Sequence, residues 1–81
     1  MQNPIYTITI DPSPLTAGKT ATITYSGPVG TKLTLDWDPA AEPSSLVVGD
    51  KGEVTLTVPT NATSLIVSDP HGNTDAATVN R

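Results

Sequence analysis

The feature that most constrains the fold is a period-two alternation of apolar and polar residues around the chain's one tryptophan. In the segment 33–37, Leu33, Leu35 and Trp37 alternate with two polar residues. This alternation places the three apolar side chains on one face of a β-strand. The sequence therefore predicts a half-buried strand whose inward face carries the tryptophan.

The same kind of pattern recurs along the whole chain between turn residues. Eight prolines and six glycines divide the sequence, and proline cannot donate a hydrogen bond to a β-ladder. No segment shows a 3.6-residue apolar period with helix caps, so we expect essentially no helix. We expect Leu15 to turn inward between the first two strands. The predicted strands span residues 5–10, 20–25, 33–37, 46–48, 53–58, 64–69 and 75–80.

About seven short strands at this spacing indicate an all-β fold, an antiparallel β-sandwich. An inward tryptophan on the third strand is typical of the immunoglobulin-like sandwich. The chain has 81 residues, so we expect one domain over residues 1–81 with a small core. Because the chain has no cysteine, its stability must come from packing and sheet hydrogen bonds.

Charge and hydropathy weigh against two classes of partner. The net charge of −4 argues against binding to nucleic acid or to an anionic membrane surface. No apolar run approaches the ~20 residues of a membrane span. The segment 1–4 has neither the basic nor the apolar region of a signal peptide. If Met1 is the native start, we expect no export by the usual signal route.

Few residues could carry catalytic chemistry. His71 is the only histidine and lies in a Pro-His-Gly turn, and Ser26 lacks the Gly-x-Ser-x-Gly motif of a nucleophile. Catalysis needs a base, a partner that orients it and a site shielded from water. We therefore expect no enzymatic activity and no cofactor, with His71 an exposed turn residue.

Several carboxylates raise the question of a calcium site. Asp36 and Asp38 are predicted to share an outer face, and Asp69, Asn73 and Asp75 could add oxygen ligands. Calcium takes six to eight oxygens, usually from a loop with dense Asp, Asn and Gly spacing, and no loop here has that spacing. The favoured interpretation is that these residues keep strand ends soluble and initiate turns, without a metal.

Outward threonines form another pattern. In the usual sandwich order the first, second and fifth strands share a sheet, so their threonines would cover one flat face. The high β-propensity of threonine explains this pattern by itself and is the favoured interpretation. A docking surface, on a capsid or on an ice lattice, is the alternative. The threonines concerned are Thr7, Thr9, Thr22, Thr24, Thr55 and Thr57.

The chain resembles bacterial and bacteriophage immunoglobulin-like domains. In the segment 14–25, a proline, a hydrophobic residue and a glycine lead into the second strand, and the segments 52–59 and 62–67 are similar to the later strands of those domains. Small domains of this kind decorate bacteriophage capsids and tails, often without a signal peptide. The resemblance implies a non-catalytic virion-surface protein, for capsid decoration or cement. It also implies a capsid or other virion protein as partner, and it allows a homo-oligomer on the particle.

The order of segments is also similar to small starch-binding sandwich modules. That similarity implies the alternative function, a carbohydrate- or cell-surface-binding accessory module of a larger bacterial protein at an extracellular or cell-surface location. Such modules stack several exposed aromatic rings on sugars. This chain has no phenylalanine, one tryptophan and two tyrosines, which weighs against sugar binding.

For the virion interpretation, the terminal residues are the predicted contacts. Chain ends that are not tied into a sheet are free to reach a neighbouring protein. The residues expected to contact the partner are the terminal residues Gln2, Asn3, Pro4 and Arg81, or else residues of loops, among which the sequence gives no reason to choose.

Overall fold

A computed structural model describes residues 5–80, which form eight β-strands in two sheets and, within that range, no helix. The prediction of an all-β fold is confirmed. The strands are β1 (Ile8–Asp11), β2 (Leu15–Thr16), β3 (Thr20–Tyr25), β4 (Lys32–Asp38), β5 (Ser45–Val47), β6 (Glu53–Thr57), β7 (Ser64–Ser68) and β8 (Thr74–Asn80).

One sheet has three strands in the order β1-β3-β6, and the other has five in the order β2-β8-β7-β4-β5. Neighbouring strands are antiparallel, except that β2 runs parallel to β8, with Leu15 opposite Val79. The sequence predicted about seven strands in antiparallel order, so β2 and its parallel pairing are a correction. The reason lies in the segment 12–14, where the chain leaves the first sheet and joins the second without reversing its direction. Leu15 is fully buried there, as expected.

Six of the seven predicted strands differ from the observed bounds, and all but the first differ by only one residue at one or both ends. The first strand begins at Ile8 rather than at Ile5, which is 84% exposed. Before Ile8 the chain still follows β3, because the Thr7 amide donates to the Ser26 Oγ at 2.7 Å. The predicted strand 46–48 is β5, displaced by one residue, and Val48 is buried just after it.

Trp37 is buried in the core between the two sheets, with 3% of its surface exposed. Leu33 and Leu35 share its face of β4 and are also buried, as the alternation predicted. The indole Nε1 donates a hydrogen bond of 2.7 Å to the Pro43 carbonyl. The tryptophan therefore has both apolar contacts and a partner for its one polar group.

The strands define two ends of the domain, which we call the first and the second pole. At the first pole, β1 begins close to the end of β3, and the turn 69–73 joins β7 to β8. At the second pole, β8 ends at Asn80, seven residues or roughly 20 Å from its start. The described chain thus begins near Tyr6 at the first pole and ends at Asn80 at the second.

Candidate functional site

Asp69 is the one charged or polar residue buried in the core of residues 5–80. It follows β7 directly and begins the turn to β8. Its Oδ1 accepts hydrogen bonds from the backbone amides of His71 at 2.9 Å and Asn73 at 2.8 Å. An aspartate that accepts from amides two to four residues ahead is a common way to initiate a turn. The carboxylate therefore stabilises the turn 69–73 through hydrogen bonds within the turn.

The other carboxylate oxygen joins the two sheets. Oδ2 of Asp69 accepts a hydrogen bond of 2.6 Å from the Tyr25 hydroxyl and one of 2.9 Å from the Asn73 side-chain amide. Tyr25 ends β3 in the three-stranded sheet, whereas Asp69 follows β7 in the five-stranded sheet. The Tyr25–Asp69 bond is thus a polar link across the core at the first pole.

Burial and hydrogen bonding shift the pKa values of both partners. Burial acts to raise the pKa of Asp69, but hydrogen bonds from Asn73, Tyr25 and the His71 amide outweigh it and lower that pKa to about 2. Burial is also the main cause that raises the pKa of Tyr25 to about 12, and its hydrogen bond to Asp69 adds to the effect. At neutral pH the pair is therefore a carboxylate that accepts from a neutral phenol.

Gly27 gives the Tyr25 ring its position. A Cβ atom at residue 27 would lie 2.6 Å from the Tyr25 hydroxyl oxygen, closer than any real Cβ contact. The ring therefore packs directly over the Gly27 backbone. A side chain at this position would clash with the ring, so either the ring or the Gly27 backbone would have to shift.

Two further rings pack beside Tyr25. The Tyr6 ring meets the Tyr25 ring edge to face with centroids 5.6 Å apart, and it meets the His71 ring in the same way at 5.5 Å. Such pairs add to stability beyond the area they bury. His71 is exposed, as the sequence predicted. Its ring covers Tyr6, and its backbone amide holds Asp69.

The geometry of this cluster favours a structural task over proton transfer. Asp69 accepts four hydrogen bonds from the chain itself, and its low pKa makes it a weak base at neutral pH. Ser26, the other residue weighed for catalysis, accepts the Thr7 amide and helps hold the start of β1. The hydrogen bonds of Asp69 thus link the two sheets to each other and stabilise the turn 69–73.

The carboxylates weighed for calcium do not converge. Asp36 and Asp38 do lie exposed on the outer face of β4, but Asp38 pairs with Ser64 at the second-pole end of β7. Asp69 lies beyond the opposite end of β7, buried and bonded to Tyr25. Asp75 pairs with the buried Val67, so it faces the inner side of the sheet. Residues 5–80 contain no group of three or more histidine, cysteine, aspartate or glutamate side chains that could hold a metal ion.

The outward threonines form a continuous face on the three-stranded sheet. Thr24 pairs with Thr9 on one side, and Thr22 pairs with Thr55 on the other. Thr57 pairs with Thr20, so the pattern extends to the second-pole end of the sheet. The predicted placement of these residues on one face is confirmed, and Thr7 continues it toward Ser26.

The other predicted site residues, Gln2, Asn3, Pro4 and Arg81, lie outside the described residues. Within residues 5–80, no helix is long and apolar enough to cross a membrane. Comparison of the chain with protein-family models, with curated proteins and with solved structures gives no match in any of the three.

Proposed function

We propose that the chain is an immunoglobulin-like module with a non-catalytic, structural or interaction function. The strand order supports the fold: if β1 to β8 are named A, A′, B, C, C′, E, F and G, the sheets read A-B-E and A′-G-F-C-C′. The A, B and E strands share one sheet of an immunoglobulin sandwich, and the C, F and G strands share the other. Trp37 on strand C packs between the two sheets, as in that fold.

The main support for a non-catalytic function is the set of hydrogen bonds that the Asp69 carboxylate accepts. The buried carboxylate, the group best placed for chemistry, is bound by four donors of the chain and links the sheets. The same link holds the first-pole loop, the turn 69–73, in one conformation. A domain whose first-pole loop is held in one conformation is suited to contact a partner through that loop without rearranging.

The proposed location is the surface of a bacteriophage virion, as a capsid decoration or cement protein. The resemblance to phage domains, the acidic charge of −4 and the polar threonine face support it, because decoration proteins must stay soluble before they assemble. On a symmetric capsid, many weak contacts act together. The partner would be a capsid or other virion protein, contacted through Gln2, Asn3, Pro4 and Arg81.

Removing residues 1–4 tests this proposal. We expect the truncated chain to fold, since β1 begins only at Ile8, and to sediment less with undecorated capsids of the phage that encodes it. An exposed-residue control, Asp36→Ala, should sediment as the intact chain does. Undiminished sedimentation of the truncated chain would eliminate the N-terminal residues as anchors. Failure of the intact chain to sediment would count against the virion location itself.

One observation favours the second candidate, an accessory module of a larger bacterial protein. The described chain begins near Tyr6 at the first pole and ends at Asn80 at the second, so neighbouring domains could continue from opposite ends. This is the geometry of domains joined end to end. In that setting the ligand would be a cell surface or a carbohydrate.

The placement of the aromatic residues leads us to expect little or no binding to starch, cellulose or chitin. Trp37 and Tyr25 are buried, and Tyr6 is half-buried, so no row of flat rings faces solvent in residues 5–80. Retention on an immobilised polysaccharide column measures this directly. Retention that Tyr6→Ala abolishes and Val29→Ala does not would establish the carbohydrate-binding alternative instead.

A further inference from the structure

The segment before β1 is held against the first pole although it belongs to no strand. The Thr7 amide donates to the Ser26 Oγ at 2.7 Å, and the Ser26 amide donates to the Thr7 carbonyl at 3.1 Å. One residue earlier, Tyr6 is half-buried and packs against the core, whereas Ile5 is 84% exposed. The last residue that the domain holds on this side is therefore Tyr6.

The ring of Tyr6 contacts two parts of the chain that are far apart in sequence. Its centroid lies 5.6 Å from that of the Tyr25 ring, at the end of β3, and 5.5 Å from that of the His71 ring, in the turn 69–73. Both pairs are edge to face, a geometry that stabilises beyond the area buried. Since Tyr25 belongs to the three-stranded sheet and the turn joins two strands of the five-stranded sheet, one side chain attaches the N-terminal segment to both sheets.

The surface on which the Tyr6 ring packs is held by Asp69. The Asp69 carboxylate accepts a hydrogen bond of 2.6 Å from the Tyr25 hydroxyl and one of 2.9 Å from the His71 amide. Both residues that contact the Tyr6 ring are therefore bonded to one buried group. A binding segment that is already held on a fixed surface loses less conformational entropy when it meets its partner.

We propose that Tyr6 positions the N-terminal contact segment: its ring, packed on Tyr25 and His71, fixes the place at which the preceding residues leave the domain. This inference rests on the proposed function, in which residues 2–4 contact a capsid or other virion protein. With the ring in place, the contact residues start from a fixed point at the first pole. Without it, the free segment extends toward Ile8, where β1 begins, and the contact residues sample a larger volume.

The two ring contacts are strong enough to decide whether the segment is attached. One edge-to-face pair changes an equilibrium constant by a factor of roughly 2 to 12. Loss of both pairs should therefore shift the equilibrium between the attached and the released segment by at least ~5-fold. The hydrogen bonds between Thr7 and Ser26 would then be the remaining contacts that hold the segment before β1.

Amide hydrogen exchange measured by NMR tests the attachment without any partner. In Tyr6→Ala, the amides of Thr7 and Ser26 should exchange at least ~5-fold faster after correction for intrinsic rates, because both are bonded only while the segment is attached. Amides of the β7–β8 ladder are the internal reference and should be nearly unchanged. Tyr6→Phe keeps the ring and should exchange as the intact chain does. Unchanged exchange at Thr7 and Ser26 in Tyr6→Ala overturns the proposal.

A double-mutant cycle assigns the effect to the ring contact. His71→Ala removes one of the two rings that Tyr6 packs on and should speed exchange of the Thr7 and Ser26 amides by a factor of roughly 2 to 12. In a Tyr6→Ala background the same change should add little, because the ring pair no longer exists. Equal effects in both backgrounds would show that His71 acts through the turn and not through Tyr6, which contradicts the proposal.

Co-sedimentation with undecorated capsids of the phage that encodes the chain tests the consequence for binding. The apparent affinity falls with the fraction of molecules whose segment is attached, so Tyr6→Ala should bind about 3- to 10-fold more weakly. Tyr6→Phe should bind normally. Ile66→Ala, at an exposed apolar residue of β7, is the matched control and should also bind as the intact chain does. A folded Tyr6→Ala variant that binds as tightly as the intact chain overturns the proposal.

The same measurements separate this inference from the proposed function. If the intact chain does not sediment with capsids, the proposed function fails and the role of Tyr6 in binding fails with it. If the intact chain sediments and removal of residues 1–4 weakens it, the function stands, and equal sedimentation of Tyr6→Ala then eliminates Tyr6 as the positioning residue. A loss of binding that Tyr6→Phe shares would assign the effect to the Tyr6 hydroxyl and contradict a role for ring packing.

Discussion

Replacing Trp37 by alanine is expected to unfold most of the protein at room temperature. Trp37 lies between the two sheets with 3% of its surface exposed and donates to the Pro43 carbonyl. Truncation of a buried tryptophan costs about 3–5 kcal/mol through lost burial and the remaining cavity. A small domain without disulfides has little stability to spare. Urea unfolding followed by circular dichroism measures the loss.

Fluorescence of the intact protein provides an independent check. A buried indole emits at shorter wavelength than one in water, so the folded chain should show blue-shifted emission that moves red on unfolding. Ile66→Ala is a suitable control, since Ile66 is an apolar residue of a neighbouring strand but 46% exposed. It should change stability by less than about 1 kcal/mol. Water-like emission from the folded protein would contradict the burial of Trp37.

Replacing Asp69 by alanine should be the other large perturbation, at about 3–4 kcal/mol. The change leaves the Tyr25 hydroxyl and the amides of His71 and Asn73 without their acceptor, and each unsatisfied buried donor costs about 1–3 kcal/mol. Asp69→Asn keeps one carbonyl oxygen and should cost less. Asp36→Ala, at an exposed carboxylate, should be nearly neutral. Equal losses in Asp69→Ala and Asp36→Ala would show that the cross-sheet link contributes nothing.

The same carboxylate predicts a pH dependence. The pKa of Asp69 is lowered from 3.8 to about 2 on folding, so its contribution is complete above pH 3.8 and is lost as the pH falls through about 2. We expect about 1–2 kcal/mol, the smaller figure allowing for solvent screening near the surface. Asp69→Asn should lack this part of the acid transition. An unchanged acid profile in that variant would contradict the low pKa.

Ionisation of Tyr25 is expected to lower the stability of the folded protein at alkaline pH. Its pKa is raised from 10.0 to about 12 on folding, so the neutral phenol contributes stability below pH 10 that disappears as the pH rises toward 12. Tyr25→Phe, which cannot ionise, should remove this alkaline loss. Tyr25→Phe also removes the hydroxyl that donates to Asp69, so this variant should be less stable than the intact chain at neutral pH.

The strands that the sequence predicted well are those with a local signal. Leu33, Leu35 and Trp37 alternate with polar residues, and this period identifies both the strand and its inward face without reference to the rest of the chain. Strand β2 has only two residues, too few to show a period, and its partner β8 lies more than sixty positions away along the chain. Its parallel pairing could not be predicted from local pattern.

The Tyr25–Asp69 link was missed for a related reason. The alternation of apolar and polar residues over 20–25 predicts that Tyr25 points inward, and the composition of residues 69–73 predicts a turn; the structure confirms both. What the sequence could not supply was the proximity of Tyr25 and Asp69, since the two residues are 44 positions apart and belong to different sheets. Aspartate in a turn is ordinarily solvent-exposed. The clue available in the sequence was an inward tyrosine at a strand end, because a buried phenol needs an acceptor.

The parallel pairing of β2 with β8 sets how the domain responds to mechanical load. A pull between Tyr6 and Asn80 draws β2 toward the first pole and β8 toward the second, along the strand direction. Their hydrogen bonds lie across that direction, so they bear the force together rather than opening one after another. The pairs of β1 with β3 are loaded in the same sense. The domain should therefore yield by shear, and it should resist stretching from its ends better than pulling apart of its two sheets.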